Sequence, residues 1–384
     1  MSARRVVITG MGGVTALGSS WGEVEPRLRR LKNAVKRMPD WDRHGELLHT
    51  RLAAPIEGFD PQDRYPRKTT RSMGRVSLLA LRASELALEQ AGLLGDAALK
   101  DGRMGIAYGS SSGSIDPVRV FGQMLTTGSM QGVTSTSYIQ MMPHTTAVNV
   151  GLYFGLKGRV IPTSSACTSG SQGIGYAYEA VKSGKQALMI AGGAEELSAP
   201  AAAVFDTLFA TSTKNDSPAA TPRPFDKGRD GLVVGEGAAS LIVEDFEHAR
   251  ARGARPLAEI VGFGTNSDGS HITQPDSQEQ ARAIRLALED AGLPPSAIGY
   301  VSAHGTATDR GDVSEARATR EVLGSKAPLS AVKSYIGHTL GACGAIEAWW
   351  TIEMMRTGWF APTLNLETPD AECTELDHVT GEDR

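Results

Sequence analysis

The sequence predicts an α/β protein built from two related halves. Three observations carry this: short β-branched runs alternate with longer amphipathic stretches, glycine is abundant (44 of 384 residues), and one Gly/Ala-rich segment recurs late in the chain. Runs at 5–9, 104–108, 160–163, 186–191, 239–244, 258–264, 300–303 and 328–331 read as strands. Stretches at 73–90, 168–183, 278–291, 312–323 and 344–356 have helical periodicity, several ending near a glycine suited to a left-handed stop. Strands interleaved with helices imply largely covered sheets. The length fits two domains of roughly 100–200 residues each. Segment 199–224, rich in small residues, reads as an insertion and not as a boundary.

The recurrence sets CTSGSQGIGYA from Cys167 against HTLGACGAIEA from His338. Thr168 coincides with Thr339, Gly170 with Gly341, Gly173 with Gly344 and Ala177 with Ala348, all at an offset of 171 residues. Each copy follows a strand-like run and opens a helix whose small residues let backbones approach closely. Two such helices suit the centre of a pseudo-twofold structure. One copy is led by a cysteine and the other by a histidine.

Composition removes several classes of function. The 39 basic and 43 acidic side chains leave a net charge of −4, which gives a nucleic-acid scaffold no electrostatic support. Three cysteines, few and odd in number, argue for a reducing compartment and thiol chemistry. No apolar run reaches the ~20 residues that span a bilayer. Arg4-Arg5 and the following VVITGMGGVTALG are broken by glycine and lack a cleavage site, so they read as a buried first strand and turn, not a signal peptide. The expected location is the cytoplasm.

Cys167 stands between the strand-like VIPTSSA and a predicted helix, where unpaired N–H groups at the helix start favour a thiolate. Its Ser, Thr and Gly neighbours suit a tight turn better than a core. His304 (AHGTAT) and His338 (KSYIGHTLG) each follow a strand, beside Gly and Thr. No HExxH or paired CxxC accompanies them, so no metal is expected. Cys343 and Cys373 lack a comparable setting. Three further patterns read as decoys. Gly109-Ser-Ser111-Ser-Gly113 fits a serine nucleophile elbow, Tyr178 and Lys182 mimic a dehydrogenase pair, and Gly10-Met-Gly12-Gly13 lacks the third dinucleotide glycine, with Thr15 in its place. Arg67, Lys68, Arg71 and Arg75 form a basic cluster able to dock an acidic partner.

A thiolate with two histidines suits acyl transfer through a thioester. The second histidine has a purpose in decarboxylative condensation, where two N–H donors stabilise a developing enolate oxygen. Lys333 is placed to orient the imidazole of His338, with Asp312 and Glu315, about one helical turn apart, holding Lys333 in turn.

At these motifs the sequence resembles the β-ketoacyl-acyl-carrier-protein synthases of the elongating type, among the thiolase-like condensing enzymes. The resemblance runs nearly end to end, through VVITGMGGVTALG, SSACTSGSQGIG, AGGAEE, RPFDKGRDGLVVGEGA, VGFGTNSD, AHGTATDRGDVSEA and KSYIGHTLGACGAIEA. It implies a duplicated five-layer αβαβα thiolase-like fold, with 1–250 carrying the nucleophile and 251–384 both histidines, and a homodimer, a heterodimer being the other arrangement. It also implies that Cys167 takes the acyl chain and that His304 and His338 promote decarboxylation of malonyl-carrier protein, supported by Lys333, Glu315 and Asp312. Thr306 and Thr308 resemble the residues that bond the pantetheine arm, His271 and Thr273 fall at the malonyl entrance, and Lys68 and Arg71 match the carrier-protein dock. The resemblance implies no bound cofactor, the substrates riding on the phosphopantetheine arm of acyl-carrier protein. Two histidines mark the elongating branch; the initiating branch has Asn as its third member.

There are departures. Tyr335 and Cys343 replace smaller residues, and Ser112 replaces an aliphatic residue of the acyl pocket. The sequence to Arg384 does not contain the family's C-terminal Gly-Phe-Gly-Gly loop and last strand, and in the family that loop gives one of the two oxyanion N–H groups. Two alternatives share the resemblance: a non-catalytic chain-length partner subunit, against which Cys167 counts, and a thiolase using free CoA, against which the paired histidines count.

Overall fold

The computed structural model describes residues 4–61, 64–271 and 273–381. Its larger sheet has six strands in the order Val160–Pro162, Met104–Gly109, Leu188–Glu195, Gly237–Asp245, Val6–Thr15 and Ala258–Ile260. The first three are parallel, whereas Gly237–Asp245 runs antiparallel to both of its neighbours. A second sheet aligns Val301–Ser302, Pro328–Ser330 and Asp377–His378 in parallel.

Helix Arg75–Gln90 covers one face of the large sheet, burying Leu79, Ala83 and Ala87 among its strands. The other face takes helices Ser169–Lys182 and Cys343–Thr357, which also touch each other. The core around Trp349 and Trp350 reaches past them to Tyr300, Val332 and Tyr335 beside the second sheet. On that sheet's far side Asp309–Leu323 places Val313 and Ala316 against Val301 and Leu329, and it packs in turn on Ser277–Ala291. The layers therefore run helix, sheet, helix pair, sheet, helix. No helix among the described residues is long and apolar enough to cross a membrane.

The recurring segments meet where the sequence placed them, at the centre. A Cβ on Gly193 would lie 2.3 Å from the Gly341 carbonyl oxygen and 2.9 Å from Gly170 Cα. Small residues are a steric condition of this crossing.

The first strand corrects a prediction. It runs from Val6 to Thr15 and does not turn at Gly10. Cβ atoms on Gly10 and Gly12 would come within 2.3 Å of the Ala87 oxygen and 2.4 Å of Leu86 Cβ, and one on Gly13 within 2.2 Å of the Trp349 ring. Alternation along the strand sends the first two toward one helix layer and the third toward the other, so these glycines serve close packing on both faces. The predicted strand 258–264 shortens to Ala258–Ile260. Helices Trp21–Arg29, Ile115–Thr127 and Thr145–Phe154 were not anticipated, nor was Ala199–Asp206 within the supposed insertion.

Gly193→Ala is expected to lower the urea midpoint by an amount equivalent to about 1–3 kcal/mol, the usual cost of overpacking. Gly122→Ala, whose added Cβ meets nothing within 4 Å inside an exposed helix, is expected to raise it by about 1 kcal/mol. Equal midpoints for the two variants would contradict this account of the central crossing.

Candidate active site

Cys167 occupies the single helical turn Ala166–Thr168, directly before helix Ser169–Lys182. Ala166 has φ +52°, a strained value for a residue with a Cβ. The turn is braced locally: Ser169 Oγ donates to the Ala166 carbonyl at 2.6 Å and accepts the Ser165 N–H at 3.0 Å, while Thr163 Oγ1 donates to the Ser169 carbonyl. This explains the serine-rich flanks. Burial, the largest influence on the thiol, pushes its pKa up, against the Lys333 charge and the residue's own backbone N–H. The resting group is thus a thiol, and the thiolate expected from the helix start is outweighed by desolvation.

His338 lies in the turn between the short helices Lys333–Ile336 and Leu340–Ala342. Its N–H donates to the Val233 carbonyl and its carbonyl accepts from Gly235, which ties the turn to the first half. Its Nδ1 accepts the Leu340 N–H at 3.1 Å, and its Nε2 is 3.1 Å from Cys167 Sγ. His304 follows strand Val301–Ser302, and its Nδ1 is 3.1 Å from Lys333 Nζ. His304 is exposed as a residue, yet its ring packs against Lys333 and the His338 ring and lies deep in the protein mass. Burial first, and Lys333 second, hold both imidazoles well below the ordinary histidine range, so both are neutral at physiological pH.

The hydrogen-bond network then assigns the tautomer. A neutral imidazole that accepts at Nδ1 carries its proton on Nε2. His338 presents Nε2–H to the Cys167 sulfur, and His304 likewise has an Nε2–H donor. The rings stand nearly perpendicular, 5.1 Å between centroids, and nitrogen atoms of both lie within 4.8 Å of each other and of Cys167 Sγ.

The support around these rings differs from the expectation in its details. Lys333 bonds His304, not His338, and its carboxylate partner is Glu347, which sequence reasoning missed. Burial works against the Lys333 charge, but the Glu347 carboxylate in contact with it and Glu315 more than offset that and hold the ammonium above its ordinary range. Burial lifts Glu347 as well, with Lys333 opposing. A buried ammonium in contact with a carboxylate keeps its proton, so the pair is Lys333 ammonium and Glu347 carboxylate.

Glu315 braces the loop, accepting the N–H groups of His304 (2.6 Å) and Gly305 (2.7 Å). Asp312 accepts those of Phe225 (2.7 Å) and Ala307 (3.0 Å). Burial pushes its pKa up to about 7, despite the Phe225 N–H. Neither carboxylate hydrogen-bonds Lys333; the reason is that loop 303–308 offers unpaired backbone N–H groups, which claim both.

Thr306 and Thr308 share a 2.8 Å hydrogen bond within this loop. His271 and Thr273 sit on an exposed stretch and bond each other, not the Cys167 cluster. Lys68 and Arg71 are exposed, whereas Arg75 leaves the basic cluster by pairing with the buried Glu236 at 2.8 Å. Cys343 has a structural part, its thiol donating to the Cys167 carbonyl at 3.4 Å. Cys373 lies in the core beside Phe225 and Leu329.

The decoys resolve into structure. Tyr178 and Lys182 both bond Asp290, at 2.9 and 2.6 Å, which fastens Ser169–Lys182 to Ser277–Ala291. The three serines after Gly109 all donate to Glu195, so the Ser112 hydroxyl belongs to that cluster.

Comparison with known proteins agrees with this geometry. The model of the beta-ketoacyl synthase N-terminal domain matches residues 3–249, and that of the C-terminal domain residues 257–367. The 3-oxoacyl-[acyl-carrier-protein] synthase 2 of Vibrio cholerae is 36% identical over 377 residues, covering 96% of this chain and 90% of that protein. A crystal structure of a beta-ketoacyl synthase from Burkholderia phymatum matches with a TM-score of 0.97 at 67% identity, over 99% of this chain and 93% of that one. A type II PKS acyl-carrier protein in complex with its ketosynthase bound to a hexaketide matches with a TM-score of 0.86 at 29% identity, over 100% and 93% of the two chains. The five layers are the thiolase-like fold of these ketosynthases, and the chain belongs to the beta-ketoacyl synthase family.

Proposed function

We propose that this chain is a β-ketoacyl-acyl-carrier-protein synthase, an acyltransferase performing decarboxylative Claisen condensation in chain elongation. The observation that carries the reading is the convergence of Cys167 Sγ with two neutral imidazoles, each locked as an Nε2–H donor.

Cys167 gives up its thiol proton and attacks the thioester carbonyl of an acyl-carrier protein; the carrier thiol leaves with that proton, and the acyl group stays on the sulfur. Malonyl-carrier protein then enters. Its C–C bond breaks, carbon dioxide departs, and the electron pair moves into the thioester as an enolate. The enolate oxygen accepts Nε2–H bonds from His304 and His338, donors that need no reorganisation when charge develops. The enolate carbon attacks the acyl carbonyl, and Cys167 leaves as a thiolate that takes up a proton. Lys333 and Glu347 keep His304 in its donor tautomer, and Glu315 and Asp312 hold the loop that carries it.

Thr306 and Thr308 line the path of the phosphopantetheine arm, and no further cofactor enters these steps. Lys68 and Arg71 dock the carrier protein, the partner in the relatives' names. His271 and Thr273 are assigned to the malonyl entrance on family resemblance alone. The division at residue 250 separates the half with the nucleophile from the half with both histidines. A homodimer is supported by the edge strand Val160–Pro162, with Val160 and Leu152 exposed beside it. Free thiols at all three cysteines fit the cytoplasm.

Intact-mass analysis after incubation with acyl-carrier protein is expected to find the acyl group on wild type and none on Cys167→Ala; equal labelling of the two would remove the nucleophile. His304→Ala is expected to accept the acyl group while carbon dioxide release falls by about 10²–10³, the usual loss for one such donor. Unchanged release would remove the role given to that ring. The lowered imidazole pKa values also set the pH response. Stability drawn from keeping these rings neutral is present above the ordinary value of 6.5 and is lost only as pH falls toward the depressed folded values. Carbon dioxide release by acylated enzyme should accordingly hold steady through pH 6.5, whereas a titration centred there would show a histidine with ordinary exposure.

A further inference from the structure

The serine turn and Glu195 take no part in the chemistry above, yet they form the most heavily bonded carboxylate beside the site. Glu195 is fully buried, at the end of strand Leu188–Glu195. One oxygen accepts Ser110 Oγ at 3.0 Å, Ser112 Oγ at 3.1 Å and the Ser112 N–H at 3.3 Å. The other accepts the Ser111 N–H at 2.7 Å, Ser111 Oγ, and the Gly341 N–H at 3.0 Å. The last of these comes from the other half of the chain, three residues after His338.

Gly341 is fixed from every side. An added Cβ would meet Ser111 N at 2.7 Å and Glu195 Oε2 at 2.8 Å, and its carbonyl oxygen lies where a Cβ on Gly193 would come within 2.3 Å. Between it and His338 stands Leu340, at φ +48°, a strained conformation for a leucine that persists only where its surroundings over-determine it. Leu340 is also the residue whose N–H locks His338 Nδ1. A continuous line of bonds therefore runs from the serine turn through Glu195 and Gly341 to the peptide that sets the His338 tautomer.

We propose that Glu195 is a positioning residue for the decarboxylation half of the reaction: its buried carboxylate suspends the His338 turn from serines 110–112 and so aims the His338 Nε2–H. This rests on the condensing-enzyme reading. The Ala166–Thr168 turn touches the suspended turn, but the bonds of Ser169 with Thr163, Ser165 and Ala166 that brace it do not pass through Glu195. Acyl transfer to Cys167 is therefore expected to suffer less than decarboxylation when the suspension is cut. The Gly-Ser-Ser-Ser-Gly motif is then an anion clamp whose anion is supplied by the chain itself.

The test measures acylation of Cys167 and carbon dioxide release from malonyl-carrier protein separately, in wild type, Glu195→Gln, Glu195→Ala and Ser111→Ala. In the Glu195 variants carbon dioxide release is expected to fall about tenfold or more, as misplacement on the scale of an ångström does, with acylation reduced far less. Formate added to Glu195→Ala is expected to restore part of the loss by refilling the clamp, an effect that general structural damage would not show. Parallel loss of both half-reactions, unchanged carbon dioxide release, or no response to formate overturns the proposal. Should the Glu195 variants fail to fold, Ser111→Ala decides it: a selective fall in carbon dioxide release supports the suspension, and an equal or absent effect overturns it. Wild type that never releases carbon dioxide contradicts the condensing-enzyme reading instead.

Discussion

Two hydrogen bonds into the Nδ1 atoms of His338 and His304 determine what this site can do. One comes from the Leu340 N–H and the other from the Lys333 ammonium. Burial keeps both rings neutral, and a neutral ring has one proton to place. Moving it to Nδ1 would leave a buried donor unmet, at about 1–3 kcal/mol per ring, or a roughly 5- to 150-fold bias at 1.4 kcal/mol per tenfold. The rings are therefore held as donors, not bases. A sulfur nucleophile beside two donors fits enolate stabilisation better than hydrolysis, in which a ring beside the nucleophile acts as base.

The fold exists, in functional terms, to bring these groups together from distant parts of the chain. Cys167 and His338 are separated by 171 residues and lead the two small-residue segments that cross at the molecular centre. The crossing is closer than any side chain larger than hydrogen permits at Gly193, so sulfur and imidazole are placed by backbone contact and not by flexible loops. The second half adds His304 and Lys333 beside a sheet of only three short strands, and carboxylates compensate for that thin scaffold: Glu315 and Asp312 fasten the His304 loop, and Glu347 anchors Lys333.

Much of this was legible in the sequence because it depends on local pattern. Alternating elements exposed the layers, and the echo between Cys167 and His338 exposed the central helices. What escaped depends on partners far away in the chain. The glycines of the first strand read as a turn because their real constraint, helices on both faces, lies some 75 and 335 residues downstream. The hydrogen-bond partners of Lys333 are His304 and Glu347, where sequence proximity pointed to His338, Glu315 and Asp312. The fold turns its side chain toward His304, and Glu315 acts on its charge without bonding it. A usable signal existed in Glu347, an acidic residue near the start of a helix that otherwise opens on Cys, Gly, Ala and Ile; a buried charge there requires a partner. The Cys167 thiol was misjudged because helix position can be read from sequence and desolvation cannot.

The most direct test of the central claim is the tautomeric state of the two rings. In protein labelled with ¹⁵N at histidine, NMR at neutral pH is expected to show His304 and His338, identified by single substitution, each with a protonated Nε2 and an unprotonated Nδ1. An imidazolium pattern, or a proton on Nδ1 of either ring, would contradict the account.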